Sequence, residues 1–173
     1  MPQDDAVSPQ PALLGLLMSG PRHGYELYQE FSGELGRVWE LGLSNLYAQL
    51  KQLEEACLVE AQMEPQPSRP PRKVYHLTPE GRAFFLDWVQ QPTPYLRRIR
   101  VEFLARLYFY RRLALDGLGD LVAAQQAVCQ AQVERFERLA AEADDGFRRC
   151  VLEFRRGQLE AVIGWLDRCL EIL

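Results

Sequence analysis

The spacing of apolar residues changes several times along the first half of the chain. Pro11 opens a run, Ala12 to Met18, that is apolar on every side, which predicts a short helix buried in a core. Ser19-Gly20-Pro21-Arg22 stops it, because proline cannot continue the hydrogen-bond ladder. From His23 or Gly24 a second helix is expected, with Tyr25, Leu27, Tyr28, Phe31 and Leu35 on its apolar side and Glu26, Glu30 and Glu34 in solvent. After a turn-length connector holding Trp39, the stretch Leu43 to Val59 places Leu43, Leu46, Leu50, Leu53 and Cys57 in three-then-four steps. Ser44, Asn45, Tyr47, Ala48, Lys51 and Gln52 fall on its other sides, with Ser44 as the expected N-cap. An ordinary amphipathic core helix would show the same stripe, so its neighbours have to decide.

They do. Leu58 to Gln62 predicts a strand, Met63 to Pro71 a Pro-rich loop, and Lys73 to Leu77 a second strand, with Val74 and His76 on one face and Tyr75 and Leu77 on the other. Arg69, Arg72 and Lys73 gather charge at the loop and the strand after it. Thr78-Pro79-Glu80-Gly81 begins another helix, with Thr78 as N-cap and proline at the first helical position. Two helices, a short connector, a third helix and a basic hairpin follow the order of a winged helix-turn-helix. A loop so placed can reach phosphates or the minor groove, although a merely solvated turn has the same composition.

Beyond Gln91-Pro92-Thr93-Pro94 the strand signals end and long helices follow, broken near Asp116-Gly117 and Asp144-Asp145-Gly146. The first has Ile99, Phe103, Leu107 and Tyr110 as its inward stripe, the second Val122, Val133, Phe136, Leu139 and Ala140. The third carries Phe147, Val151, Phe154, Leu159, Val162, Ile163, Leu166, Leu170 and Leu173. These stripes are wider than one helical hairpin can hide, and self-association accounts for them. The fold class is therefore mainly α with a small β wing. A disordered tail is expected over 1–10, a winged helix-turn-helix domain over 11–92, and an antiparallel α-helical dimerisation domain over 95–173.

Composition narrows the chemistry. The 173 residues carry a formal net charge of −4, and before residue 96 seven cations face twelve carboxylates. Phosphate affinity would have to come from local placement of few cations. The four cysteines include no CxxC pair and the two histidines stand in unrelated contexts, so no metal site or cofactor is expected. Reduced, mostly buried cysteines are expected, with a redox sensor as the alternative. No apolar run is long enough to cross a bilayer and no cationic leader precedes one, so a cytoplasmic protein is expected, without membrane contact.

Three stretches together resemble the PadR family of bacterial transcriptional regulators: Leu14-Gly15-Leu16-Leu17 with His23-Gly24-Tyr25-Glu26-Leu27, then Ser44 to Glu54, then Arg69 to Arg82. They keep the family's order over the first half of the chain, and the helical tail resembles the longer subgroup, whose C-terminal helices make the dimer. The resemblance implies a homodimeric winged-helix protein that binds operator DNA, usually as a repressor released by a small molecule. It places Tyr47 near a phosphate, Ser44 and Asn45 at the start of the helix facing the major groove, and Arg69, Arg72 and Lys73 on the basic wing. It gives Gly24 and Tyr25 a structural role, packing the second helix against the first. The chain departs from the family where Cys57 replaces a glycine that often follows the recognition helix, and where Asn45 replaces Gly or Ser.

The leading reading is a regulator of double-stranded DNA, with Ser44, Asn45, Lys51 and Gln52 offered to base edges and Tyr47, Arg69, Arg72 and Lys73 to phosphates. A winged-helix module for protein interaction or ligand sensing, its DNA binding weakened or lost, is the competing one, motivated by the acidic first half. An enzyme is disfavoured: no nucleophile stands beside a base and no Gly-rich loop meets a helix. For a small-molecule effector, Trp88, Tyr95 and Phe103, with Tyr108 and Phe109, could line an aromatic cavity where the domains and the dimer partner meet. Arg98, with Arg97 and Arg100, could hold an anionic group. Plain core aromatics and a solvated arginine face would give the same pattern.

Overall fold

The computed structural model describes residues 7–65 and 71–173. The expected tail up to residue 6 and the wing residue Arg69 lie outside the described residues. The chain forms two compact units, one of the residues up to Gln90 together with Arg100–Leu115, the other of Gln91–Ile99 together with Asp116–Leu173.

The first unit is built around α1 (Gln10–Leu17), which is buried from Pro11 to Leu17, as its all-round apolarity demands. A strand of two residues, β1 (Arg22–His23), follows and leads directly into α2 (Gly24–Ser32). His23 closes a capping box there: its Nδ1 accepts from the Glu26 amide at 3.2 Å, and Glu26 Oε2 accepts from the His23 amide at 3.2 Å. A 3₁₀ turn, Leu35–Arg37, opens the connector, and Trp39 sits edge-on to Phe31 at 5.8 Å. Next come α3 (Leu43–Glu55), β2 (Val59–Glu64), β3 (Arg72–Leu77) and α4 (Pro79–Gln90). The sheet order is β1-β3-β2, antiparallel throughout, with Arg22 opposite Tyr75, Val59 opposite Leu77 and Glu64 opposite Arg72.

Two local expectations need correction. The N-cap of α3 is Gly42, not Ser44: Leu43 is already helical and the Leu46 amide donates to the Gly42 carbonyl at 3.0 Å. Packing of Leu46, Leu50 and Leu53 fixes where the helix starts, and it overrides the better capping side chain two residues later. Gly24, expected to seat the second helix on the first, instead meets α3: a Cβ on Gly24 would lie 2.4 Å from the Tyr47 ring.

The helical segment after the second Pro-rich turn is α5 (Leu96–Arg98), a π turn over Ile99–Phe103, and α6 (Leu104–Leu113). α6, expected among the C-terminal helices, packs with the winged unit. Phe109 lies 5.2 Å from Phe85, and the buried Arg106 donates to the Trp88 carbonyl at 2.9 Å while stacking 4.5 Å over its ring. An ion pair from Arg112 to Glu30 joins α6 to α2, and one from Arg111 to Glu34 joins it to the start of the 3₁₀ turn that follows.

In the second unit α7 (Leu118–Ala141) and α8 (Gly146–Ile172) form a long hairpin, with Asp145 capping α8 through the Arg148 amide at 2.7 Å. Its seam contains Leu121, Val122, Cys129, Val133 and Ala140 against Leu152, Leu159, Leu166 and Cys169. The buried Gln125 clamps Thr93 at both ends, accepting from its amide at 2.7 Å and donating to its carbonyl at 3.0 Å. Phe147 and Phe154 are 77% and 65% exposed. Among the described residues no helix is long and apolar enough to cross a membrane. The cysteines divide evenly: Cys129 and Cys169 are buried, whereas Cys57 and Cys150 are exposed, against the expectation that most would be hidden.

Candidate nucleic-acid interface

Burying Leu46, Leu50 and Leu53 turns the rest of α3 outward, and Ser44, Asn45, Tyr47, Ala48, Lys51 and Gln52 are all exposed. Helical geometry alone thus collects most of the expected contact residues on one surface. Asn45 Oδ1 accepts from Gln49 Nε2 at 3.1 Å, and Gln52 Oε1 accepts from Gln10 Nε2 at 2.8 Å. Amides paired this loosely at a solvated surface exchange partners readily, so both remain usable as donors and acceptors to base edges. Tyr47 is 44% exposed, its ring lying over the start of α2 where Gly24 leaves room. A side chain at position 24 would push that ring away.

The end of α3 is set by backbone chemistry. Cys57 has φ 57°, in the left-handed region, and the Leu58 amide donates to Leu53 O at 2.9 Å while the Cys57 amide donates to Glu54 O at 3.0 Å. This pair of bonds is a Schellman cap, made here without the usual glycine. Thr78 secures it: its hydroxyl donates to the Cys57 carbonyl at 2.9 Å and accepts from the Gly81 amide at 3.0 Å, capping α4 as expected. Gly81 is required by proximity, since a Cβ there would stand 2.0 Å from the Leu58 carbonyl oxygen.

The hairpin places Arg72 and Lys73 at the start of β3, both exposed. Lys73 crosses to α3, bonding Glu54 at 2.5 Å, and also lies 5.5 Å over the Tyr75 ring. The Glu54 hydrogen bond holds the Lys73 ammonium above its ordinary pKa. Burial raises the Tyr75 phenol in turn. Arg72 pairs with Glu64 across the hairpin at 3.5 Å, and Lys51 pairs with Glu55 at 3.6 Å along the helix. Sequence reasoning missed these carboxylates. Only the Lys51–Glu55 spacing of four was visible beforehand; the other two pairs depend on strand register and on how the hairpin meets α3.

The residues expected to hold an effector fall in both units. In the first, Phe103 is fully buried, and Trp88 lies among Phe85, Phe109 and Arg106. In the second, Tyr95 and Arg98 do come together, with Arg98 5.3 Å and Arg97 5.7 Å over the half-exposed Tyr95 ring. A cavity of about 340 Å³ adjoins them, lined by Tyr95, Leu96, Arg97, Gln132, Phe136, Arg155 and Gln158. Among the described residues no group of His, Cys, Asp and Glu could hold a metal ion.

Two family models match the chain: the transcriptional regulator PadR-like family over residues 13–86, and the virulence activator alpha C-terminal family over residues 99–173. The negative transcriptional regulator PadR of Bacillus subtilis is 30% identical over 137 residues, which cover 77% of this chain and 75% of that protein. A probable transcriptional regulator of Mycobacterium tuberculosis is 28% identical over 180 residues, covering 94% of this chain and 95% of its own. Among solved structures, Bacillus subtilis PadR in complex with operator DNA aligns over the whole of both chains with a TM-score of 0.50 and 23% identity, a likeness of fold.

Proposed function

The chain belongs to the PadR-like family of transcriptional regulators, and from that premise we propose that it is a homodimeric repressor that binds double-stranded operator DNA in the cytoplasm and is released by a small molecule. The observation that carries this reading is the outward face of α3, where Ser44, Asn45, Tyr47, Lys51 and Gln52 stand exposed beside the basic start of β3. Ser44, Asn45, Lys51 and Gln52 address base edges; Tyr47, Arg72 and Lys73, with Arg69, position the protein on phosphates. In a two-fold dimer the paired α3 helices would enter successive major grooves, so the operator is a pseudo-palindrome with half-sites about one helical turn apart. The exposed Phe147 and Phe154 of α8 support association through the C-terminal helices.

The effector reading rests on Tyr95 and Arg98 with their neighbouring cavity, whose arginines and aromatic rings suit a flat anionic compound. Trp88 and Phe103 then act as core residues of the first unit. The test of the main reading is fluorescence anisotropy with the promoter of the protein's own gene against a scrambled duplex. Tighter binding to the promoter is expected, and equal or absent binding at low salt would refute the proposal. One observation favours the competing reading of an interaction module with lost DNA binding: the described interface cations are already paired with carboxylates. On that reading Arg72→Ala with Lys73→Ala leaves regulation in the cell unchanged; on the main reading it abolishes it.

A further inference from the structure

Lys51, Arg72 and Lys73 each hold a carboxylate: Glu55 at 3.6 Å, Glu64 at 3.5 Å and Glu54 at 2.5 Å. The first pair follows from helical spacing, but the other two come from separate pieces of architecture. Glu64 and Arg72 are register partners across β2 and β3. Glu54 reaches Lys73 from the last turn of α3. The side chains remain 34–76% exposed, so they are open to exchange with a nucleic acid.

Exchange has a definite electrostatic consequence. A phosphate that takes Lys73 must displace Glu54, which then sits uncompensated beside the DNA backbone. The net charge these six side chains bring to DNA is zero, whereas DNA affinity and its salt dependence follow the net number of phosphates neutralised. Pairs this exposed contribute little to folding stability, which makes stability a weak reason for three carboxylates to occupy these positions.

We propose that Glu54, Glu55 and Glu64 are intramolecular counter-ions that set the DNA affinity of the winged unit, occupying its cations until DNA displaces them, phosphates at Arg72 and Lys73 and a base edge at Lys51. The proposal rests on the DNA-binding reading above. It makes these glutamates affinity-limiting residues: they suppress attachment to DNA in general, so that base contacts from α3 decide where the protein stays. Glu54 acts through Lys73, Glu64 through Arg72 and Glu55 through Lys51.

The experiment compares the unaltered 173-residue chain with its Glu54→Gln, Glu55→Gln, Glu64→Gln triple variant on a mixed-sequence duplex, across a salt series, with melting curves to confirm folding. The variant is expected to bind about 10- to 100-fold more tightly at low salt, with a log–log salt slope steeper by about 2 units or more. Coincident affinities and slopes overturn the proposal while leaving DNA binding itself intact. Tighter binding without a steeper slope also overturns it, since the glutamates would then not act as charges. If neither protein binds the duplex at the lowest salt, the DNA-binding reading falls and this one with it. A second comparison isolates the mechanism: in a Lys73→Gln background, Glu54→Gln alone should lose most of its gain. An undiminished gain there means that Glu54 repels DNA directly, which refutes the counter-ion role.

Discussion

Both units leave some large apolar side chains in water, but the winged unit spreads them over four elements whereas the helical unit gathers most of its own on α8. In the first, Leu13, Leu14, Leu16, Leu27, Phe31, Leu46, Leu50, Leu53 and Phe85 are completely buried, and the exposed Tyr25, Leu43, Tyr47, Met63 and Phe84 are spread over four different elements. In the second, Phe147 and Phe154 are seven residues apart on α8 and therefore share a face, and Leu170 and Ile172 are exposed nearer its end. The difference separates two ways of being specified. The winged unit is held by close backbone approaches that admit few substitutions. The hairpin is held along one seam and keeps a second apolar face unspent, as expected of an element that associates with another copy.

The strongest way to break that comparison is at Gly81. Alanine there drives a Cβ against the Leu58 carbonyl, and backbone cannot swing aside as a side chain can. Gly81→Ala should destabilise the winged unit by about 4 kcal/mol, above the usual range for overpacking. Urea melting of the variant measures it; a loss within experimental error would show that the contact of α4 with the end of α3 is slack.

Gln125→Leu tests whether the helical unit has any comparably fixed point. It removes the two Gln125 hydrogen bonds to the buried Thr93 backbone. About 3 kcal/mol is expected from losing two buried hydrogen bonds. On the outer face the expectation reverses. Phe154→Glu should leave the melting temperature of the protomer nearly unchanged but weaken self-association by about 2 kcal/mol for each buried ring lost. Light scattering across a dilution series reads this directly, and an unchanged dimer would move the interface elsewhere.

The two units also differ in how far they could be read in advance. Apolar spacing was enough to find every long helix, because burial of one face writes itself into the sequence with a 3.6-residue period. The residues on the outer face of α3 followed for the same reason: Ser44, Asn45, Tyr47, Lys51 and Gln52 are what remains once the leucines turn inward. Other features carry no periodic trace. β1 is two residues long and exists only through its register with β3. Ser44 looked the better N-cap than Gly42, yet the packing of the leucines decides where α3 begins. The π turn at Ile99–Phe103 and the grouping of α6 with the winged unit arise from tertiary contacts of Phe109 and Arg106, which no local pattern encodes. The pairing of Glu64 with Arg72 and of Glu54 with Lys73 was equally hidden.

The smallest expected effect lies in the turn between α3 and β2, where the close-packed winged unit tolerates a poor residue. Cys57 occupies a left-handed conformation at φ 57° that glycine adopts without strain, and the departure from glycine was visible in the sequence. Its retention is possible because Thr78 donates to its carbonyl and the Schellman bonds of Leu58 and Cys57 hold the turn from the other side. A non-glycine residue here costs about 1–2 kcal/mol. Glycine gives back part of any gain, about 0.4–1 kcal/mol, through its larger freedom in the unfolded chain. Cys57→Gly should therefore stabilise the winged unit by about 0.5–1 kcal/mol, seen as a small upward shift of the melting midpoint. Because the thiol is exposed, no packing is lost to offset this. A decrease in stability instead would mean that the Cys57 side chain makes a contribution of its own, and that this turn is specified by more than its backbone.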